Sequence, residues 1–173
     1  MKNYLLKVKK IMKEESDYLI PNHKEVYSKL ITDLIKPFKK IKIDKVLATD
    51  MKGLLYGPII ANKLKLPFVT IFKGGKIKDR KKVLESNKII DYSGKEKYFE
   101  LLKNSIKPKE NILLIDDWFE SGNTGKAIIK LIQSVKGRIV GISVIFNQLT
   151  KENENFFNKY NYHYLIKLEQ KKR

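Results

Sequence analysis

The spacing of apolar positions changes several times along the chain. In residues 23–38, Val26, Tyr27, Leu30, Ile31, Leu34 and Phe38 recur every three or four residues, which is one stripe of a helix. Residues 44–50 (DKVLATD) hold a short continuous apolar run that ends in polar residues, the pattern of a strand buried on both faces. Residues 53–65 predict a helix and 67–72 (PFVTIF) a strand. Further on come a strand at 111–117 (NILLIDD), a helix from about Thr124 to Val135 and a strand at 138–146 (RIVGISVIF). A polar helix near 150–159 and a last strand at 162–168 (YHYLIKL) follow. Strand alternating with helix predicts an α/β fold: right-handed crossovers and a mainly parallel sheet with helices on both faces.

Two segments stand outside that rhythm. Residues 1–15 place Leu5, Val8, Ile11 and Met12 at helical spacing, a face that would dock on a second subunit or on this domain's own sheet. Residues 73–98 are dense in lysine, contain Gly74, Gly75 and Gly94, and keep no clean period; a stretch of that kind inside a compact domain is functional or disordered.

Composition narrows the picture. A chain of 173 residues is expected to form one domain, 1–173, with enough apolar residues for a real core. No apolar run reaches the roughly 20 residues of a membrane span. The opening MKNYLLKVKKIMKEES is too charged for a secretory segment, so a cytoplasmic location is expected. The absence of cysteine excludes disulfides and thiolate chemistry, and two histidines exclude a histidine-rich metal site. Both, His23 and His163, fall near predicted element ends and read as surface or structural. The net charge of +18 suits an anionic partner: nucleic acid, a membrane surface or a polyphosphate ligand. The excess is lysine accompanied by many Ile and Asn, which an AT-rich genome also produces. Only Arg80, Arg138 and Arg173 are arginines, so nucleic acid is not the favoured partner.

The chemistry concentrates in ILLIDDWFESGNTGKAI, residues 112–128. A buried strand is expected to end in two adjacent carboxylates, Asp116 and Asp117, and a small, hydroxyl-bearing turn at 120–124 leads into a helix. Ligands in such sheets bind beyond the carboxyl ends of the strands. The N–H groups opening that helix, with Ser121 and Thr124 hydroxyls and Gly122 permitting close approach, would cradle an anion. The carboxylates would accept from vicinal sugar hydroxyls, so a ribose 5-phosphate satisfies both halves. The alternative is an N-capping turn in which an Asp and a Ser satisfy orphan helix donors. A phosphate-binding Walker loop is excluded, because Gly122 and Gly125 are too close together and Ala127 follows Lys126 where a Ser or Thr is required.

LLIDDWFESGNTGKA resembles the phosphoribosyl-diphosphate (PRPP) signature of the type I phosphoribosyltransferases. KVLATDMKGLLYGPIIANKLKLPFVTIFKGGKI, residues 45–77, is similar to the adenine phosphoribosyltransferase branch in its strand, basic-Gly turn, Gly-Pro helix and Lys-x-Gly-Lys hood. DYSGKEKYFELLKNSIKPKENILLIDD, residues 91–117, matches the hood strand that follows. The three matches occur in the family's order over roughly residues 40–147.

The resemblance implies a Rossmann-like type I phosphoribosyltransferase fold with a flexible hood at about 73–98 and an N-terminal helical extension at 1–20. It implies a Mg²⁺-dependent enzyme of nucleotide salvage, a homodimer, that transfers the phosphoribosyl group of PRPP to a nucleobase, a purine first, and releases pyrophosphate. The Mg²⁺ would be carried by PRPP, with no direct protein ligand. Asp116 and Asp117 would hold the ribose hydroxyls, and Glu120, Ser121, Gly122, Asn123 and Thr124 the 5-phosphate. Asp50, Met51, Lys52 and Gly53 would form the pyrophosphate loop, Lys52 standing where the family commonly has Arg. Lys73 and Lys76 would reach the leaving pyrophosphate, and Tyr92 would arrive with the hood. Glu120, Tyr92 and Lys52 would be the catalytic residues, with Glu120 accepting or orienting a proton of the base.

Several positions depart from the branch. Glu120, Trp118 and Phe119 replace small and aliphatic residues, Phe72 stands at a hood arginine and Asp91 at a glutamate. Residues 17–27 (DYLIPNHKEVY) lack the pieces that build the adenine pocket. The donor half is therefore expected to be intact and the acceptor half rewritten, with Trp118 and Phe72 as candidate base-stacking side chains or core residues. The alternative to an enzyme is a PRPP- or nucleotide-sensing regulator of the same fold that binds nucleic acid or a protein.

Overall fold

The computed structural model describes residues 3–90 and 94–170. In chain order the helices are α1 (Asn3–Glu14), α2 (Lys24–Ile35), α3 (Gly57–Leu64), α4 (Asn123–Ser134) and α5 (Lys151–Asn158). The strands are β1 (Lys45–Thr49), β2 (Phe68–Lys73), β3 (Val83–Glu85), β4 (Ile89–Ile90), β5 (Glu96–Lys97), β6 (Phe99–Leu102), β7 (Asn111–Phe119), β8 (Arg138–Asn147) and β9 (Tyr162–Lys167). Seven of them form one sheet in the order β3-β6-β2-β1-β7-β8-β9. The run from β2 to β9 is parallel, while β6 and β3 add an antiparallel edge. β4 and β5 pair with each other apart from that sheet.

The central strand shows why its sequence is apolar without interruption. Leu113 and Ile115 face a layer that includes α1, α2 and α3, whereas Ile112 and Leu114 face α4 and α5. Both faces are covered, so alternation would bury polar groups. The stripe of α2 is buried as predicted, at Val26, Leu30, Ile31 and Leu34, and α4 buries Ile128, Ile129, Leu131 and Ile132 on the other face. Each such Leu or Ile contributes about 1.5–3 kcal/mol by leaving water.

Four expectations need correcting. The helix predicted at 53–65 is two pieces, a 3-10 turn at Lys52–Leu55 and then α3, whose first turn contains Pro58. Proline suits that position because it lacks only an N–H that the helix cannot use. Asp116 and Asp117 do not end their strand. β7 continues through Trp118 and Phe119, which pair with Phe146 and Asn147 of β8. The hood segment 73–98, for which the sequence shows no period and no elements were predicted, carries β3, β4 and β5 among its described residues, and the unpredicted β6 follows it. These strands are two to four residues long, too short for alternation to register. Finally, α1 rests chiefly on α2 and the 3-10 turn Asp17–Asn22 rather than on the sheet, burying Tyr4, Leu5, Val8 and Ile11 there. No helix among the described residues is long and apolar enough to cross a membrane.

Candidate active site

A cleft of about 550 Å³ opens at the carboxyl ends of β1 and β7. Its floor is the pair Asp116–Asp117. Asp116 is buried, and its Oδ1 accepts from the Thr49 hydroxyl at 2.5 Å and from the Asp117 N–H at 3.0 Å. Thr49 is the last residue of β1, so two adjacent parallel strands fix this carboxylate. A Cβ on Gly53 would stand 2.9 Å from the Thr49 hydroxyl and 3.4 Å from Asp116 Oδ1, so the loop after β1 passes close over the pair only because residue 53 has no side chain. Burial, then the neighbouring charge of Asp117, pushes the Asp116 carboxyl well above the ordinary carboxylate range. Burial raises Asp117 as well, and the Lys52 ammonium pulls against it. The floor thus presents two adjacent carboxyls to the cleft, an arrangement suited to receiving hydroxyl donors.

Beside them is the turn that opens α4. Gly122 has φ +82°, and a Cβ there would meet the Phe157 ring at 2.7 Å, so both conformation and packing demand glycine. Ser121 Oγ accepts from the Asn123 N–H at 3.3 Å, so part of the capping arrangement is present. The Ser121 carbonyl accepts from the Asn153 side chain at 2.9 Å, and Lys126 Nζ bonds Asn153 Oδ1 at 2.6 Å. The loop is therefore braced from α5. The Asn123 amide donates to the Ile90 carbonyl at 3.2 Å, joining this turn to the hood ribbon. Early N–H groups of a helix lack intrahelical acceptors and, with the helix dipole, favour an anion at this end.

Lysines line the remaining walls. Lys52 begins the 3-10 turn after β1, and the peptide bond between Asp50 and Met51 ahead of it is cis. Its Nζ lies 2.5 Å from Asp17 Oδ2 and 3.8 Å from Asp117 Oδ2, and 4.9 Å from the Tyr18 ring centroid. Burial acts to lower the Lys52 pKa, but the Asp17 bond and the Asp117 charge prevail and raise it. Lys73, at the end of β2, also lines the cleft. The loop beyond it is held by Glu100 of β6, a side chain with no exposed surface. Glu100 accepts from the Gly75, Lys76 and Ile77 N–H groups at 2.7, 3.1 and 3.0 Å and from the Arg80 guanidinium. Burial alone would raise its pKa; Arg80 and these backbone donors outweigh that and lower it.

The cleft brings together Asp116, Asp117, Glu120, Ser121, Gly122, Asn123, Thr124, Lys52, Lys73 and Trp118 from the sequence reading. Gly53 lies directly against its floor. Lys76 and Phe72 are not among its lining residues: Lys76 is exposed with its N–H on Glu100, and Phe72 pairs opposite Glu100 in the sheet. Tyr92 and Asp91 lie outside the described residues. Trp118 packs against Phe146 at 5.3 Å between ring centroids, and its buried Nε1 has no hydrogen-bond partner among the described residues. Sequence reasoning missed Asp17, Tyr18, Thr49 and Glu100. Thr49 was within reach as the polar residue ending β1; the others carry no local signal.

Among the described residues no three His, Cys, Asp or Glu side chains converge as a metal cage. The carboxylates that line the cleft, Asp50, Asp116, Asp117 and Glu120, would suit the water shell of a hard cation brought in by a ligand.

The model of the phosphoribosyl transferase domain family matches residues 16–170. The adenine phosphoribosyltransferase of Dinoroseobacter shibae is 32% identical over 117 residues, 68% of this chain and 63% of that protein, so the match spans slightly under two thirds of the relative's length. The Mesoplasma florum adenine phosphoribosyltransferase is 25% identical over 171 residues, covering 96% of this chain and 98% of its own. Among solved structures, the Rhodothermus marinus adenine phosphoribosyltransferase superposes with a TM-score of 0.81 at 21% identity, over 97% of this chain and 100% of that one, a likeness of fold. With the cleft's carboxylate pair and anion-binding turn in place, the chain belongs to the phosphoribosyl transferase domain family.

Proposed function

We propose that this protein transfers the 5-phosphoribosyl group of PRPP to a purine base, adenine being the first candidate, and releases pyrophosphate. One observation carries the reading: a carboxylate pair and a helix N-terminal turn share one cleft, with lysines on its other walls. A sugar phosphate has hydroxyls for the first, a dianion for the second and, as PRPP, a diphosphate for the lysines. The names of the relatives support adenine. The regulatory alternative draws no support from the fold or from the comparisons.

In this reading Asp116 and Asp117 accept from the ribose hydroxyls, and the Ser121–Thr124 turn takes the 5-phosphate through its N–H groups. Displacement at the anomeric carbon breaks the bond to diphosphate and forms the bond to a base nitrogen, which then loses its proton. Lys52 and Lys73 stabilise the charge that grows on the departing diphosphate. Glu120, which lines the cleft beside the anion turn, is proposed to accept or orient the base proton. Mg²⁺ held on the PRPP oxygens would supply further charge neutralisation. Lys76 is proposed to reach the site through movement of the hood, which would also exclude water from the sugar cation. Trp118 is the proposed wall of the base pocket, a homodimer the proposed assembly and the cytoplasm the proposed location.

The test is an end-point assay with PRPP, Mg²⁺ and adenine, hypoxanthine, guanine, xanthine, uracil or orotate, reading nucleotide by mass spectrometry. Nucleotide from a purine, lost in Asp117→Asn, is expected. Nucleotide from a pyrimidine alone would overturn the base class, and none from any base would overturn the transferase reading.

A further inference from the structure

On the donor side of the cleft, the N-terminal part of the chain reaches the lysine of the loop after β1. Asp17 begins the 3-10 turn Asp17–Asn22, which Ser16 caps by accepting the Tyr18 N–H at 3.3 Å and the wholly buried Ile20 anchors in the core. This turn sits far from Lys52 in sequence, yet Asp17 Oδ2 takes the Lys52 ammonium at 2.5 Å. Their side chains are 15% and 30% exposed, so this is not a loose surface pair. Asp117 Oδ2 stands farther off, at 3.8 Å, beyond hydrogen-bond distance.

An ammonium has three donors on a flexible four-carbon stem, and it settles where the nearest uncompensated charge draws it. Asp17 fixes one donor and holds Nζ short of Asp117. That leaves the Asp117 carboxylate open to a ribose hydroxyl and leaves donors on Lys52 for a diphosphate. Without Asp17, the carboxylate next within reach is Asp117 itself, and the two groups would neutralise each other across the site.

We propose that Asp17 is a positioning residue: it holds Lys52 off Asp117 so that both remain available to PRPP. The proposal rests on the PRPP reading of the cleft. It is tested by calorimetric titration of PRPP with Mg²⁺ into the intact protein, its Asp17→Asn and Lys52→Met variants, and the double variant. Asp17→Asn is expected to weaken PRPP about tenfold, and Asp17→Glu, which keeps the charge, to recover part of the loss. In the Lys52→Met background Asp17→Asn should add less than about twofold, because its effect runs through Lys52. Unchanged or tighter PRPP binding by Asp17→Asn would overturn the proposal. So would an equal loss in both backgrounds, which marks a role in holding the N-terminal turn alone. No PRPP binding by the unsubstituted protein overturns the donor-site reading itself, and this proposal with it.

Discussion

Asp116→Asn separates what the site needs from what the fold prefers. Asp116 is buried, and both bonds it accepts, from Thr49 and from the Asp117 N–H, fall on Oδ1. An asparagine oxygen accepts both. Its amide would face the Asp117 carboxyl, with which Asp116 is in hydrogen-bonding contact, and would replace repulsion by donation. Removing a buried charge in this way is expected to stabilise the empty protein by about 1–2 kcal/mol at neutral pH. At ~2.1 cal/mol/K per residue, 173 residues give an unfolding entropy of about 0.36 kcal/mol/K, so Tm should rise by about 3–6 °C. The pH dependence has a definite sign. A carboxyl whose pKa is raised by folding contributes most below its ordinary unfolded value, and that contribution disappears as pH climbs through the folded value. The variant and the original should therefore melt together in acid and diverge toward neutrality. PRPP binding should move the other way, because one charge-assisted hydrogen bond worth about 1.5–3 kcal/mol is lost, a weakening of roughly ten- to 150-fold. Calorimetric melts from pH 4 to 8 and a PRPP titration measure both. A variant less stable than the original at neutral pH, or a gap independent of pH, would refute the electrostatic reasoning.

Other substitutions probe the supports. Gly122→Ala forces a left-handed backbone on alanine and a methyl into the Phe157 ring, at a cost of about 2–4 kcal/mol, readable as a lower denaturation midpoint. Glu100→Gln removes the charge that gathers three N–H groups and Arg80, costing about 2–4 kcal/mol, and should speed tryptic cleavage between Lys73 and Lys82. Because folding lowers the Glu100 pKa, that loss should be full above the ordinary carboxylate value and fade as pH falls through the folded one; a constant difference across pH would argue against it. Thr49→Val keeps the shape of the side chain but removes the donor to Asp116, and should weaken PRPP severalfold in the same titration while leaving the overall circular dichroism spectrum unchanged.

The parallel half of the fold was legible because burial on both faces leaves unbroken apolar runs: LLI in β7 and ISVIF in β8 suit a strand covered on both sides. The stripe of α2 was legible for the same reason at a different period. The hood ribbon and β6 were not, because two- to four-residue antiparallel strands depend on distant partners rather than on their own composition. The carboxylates and the turn at 120–124 lie consecutively and could be read together, whereas the groups that organise them arrive from elsewhere. Thr49 meets Asp116 across 67 positions and Asp17 meets Lys52 across 35, and no local pattern encodes either contact. Glu100 is one acidic residue inside FELL, and only the fold shows that four donors converge on it.

The central claim is that Asp116 and Asp117 grip ribose hydroxyls while the 121–124 turn grips the 5-phosphate. The most direct measurement compares ribose 5-phosphate with 2-deoxyribose 5-phosphate by calorimetric titration of the intact protein. Loss of the 2-hydroxyl is expected to weaken binding about tenfold or more, with the shared phosphate keeping both ligands bound. Equal affinities for the two sugars would contradict the claim, leaving the carboxylate pair without the role assigned to it.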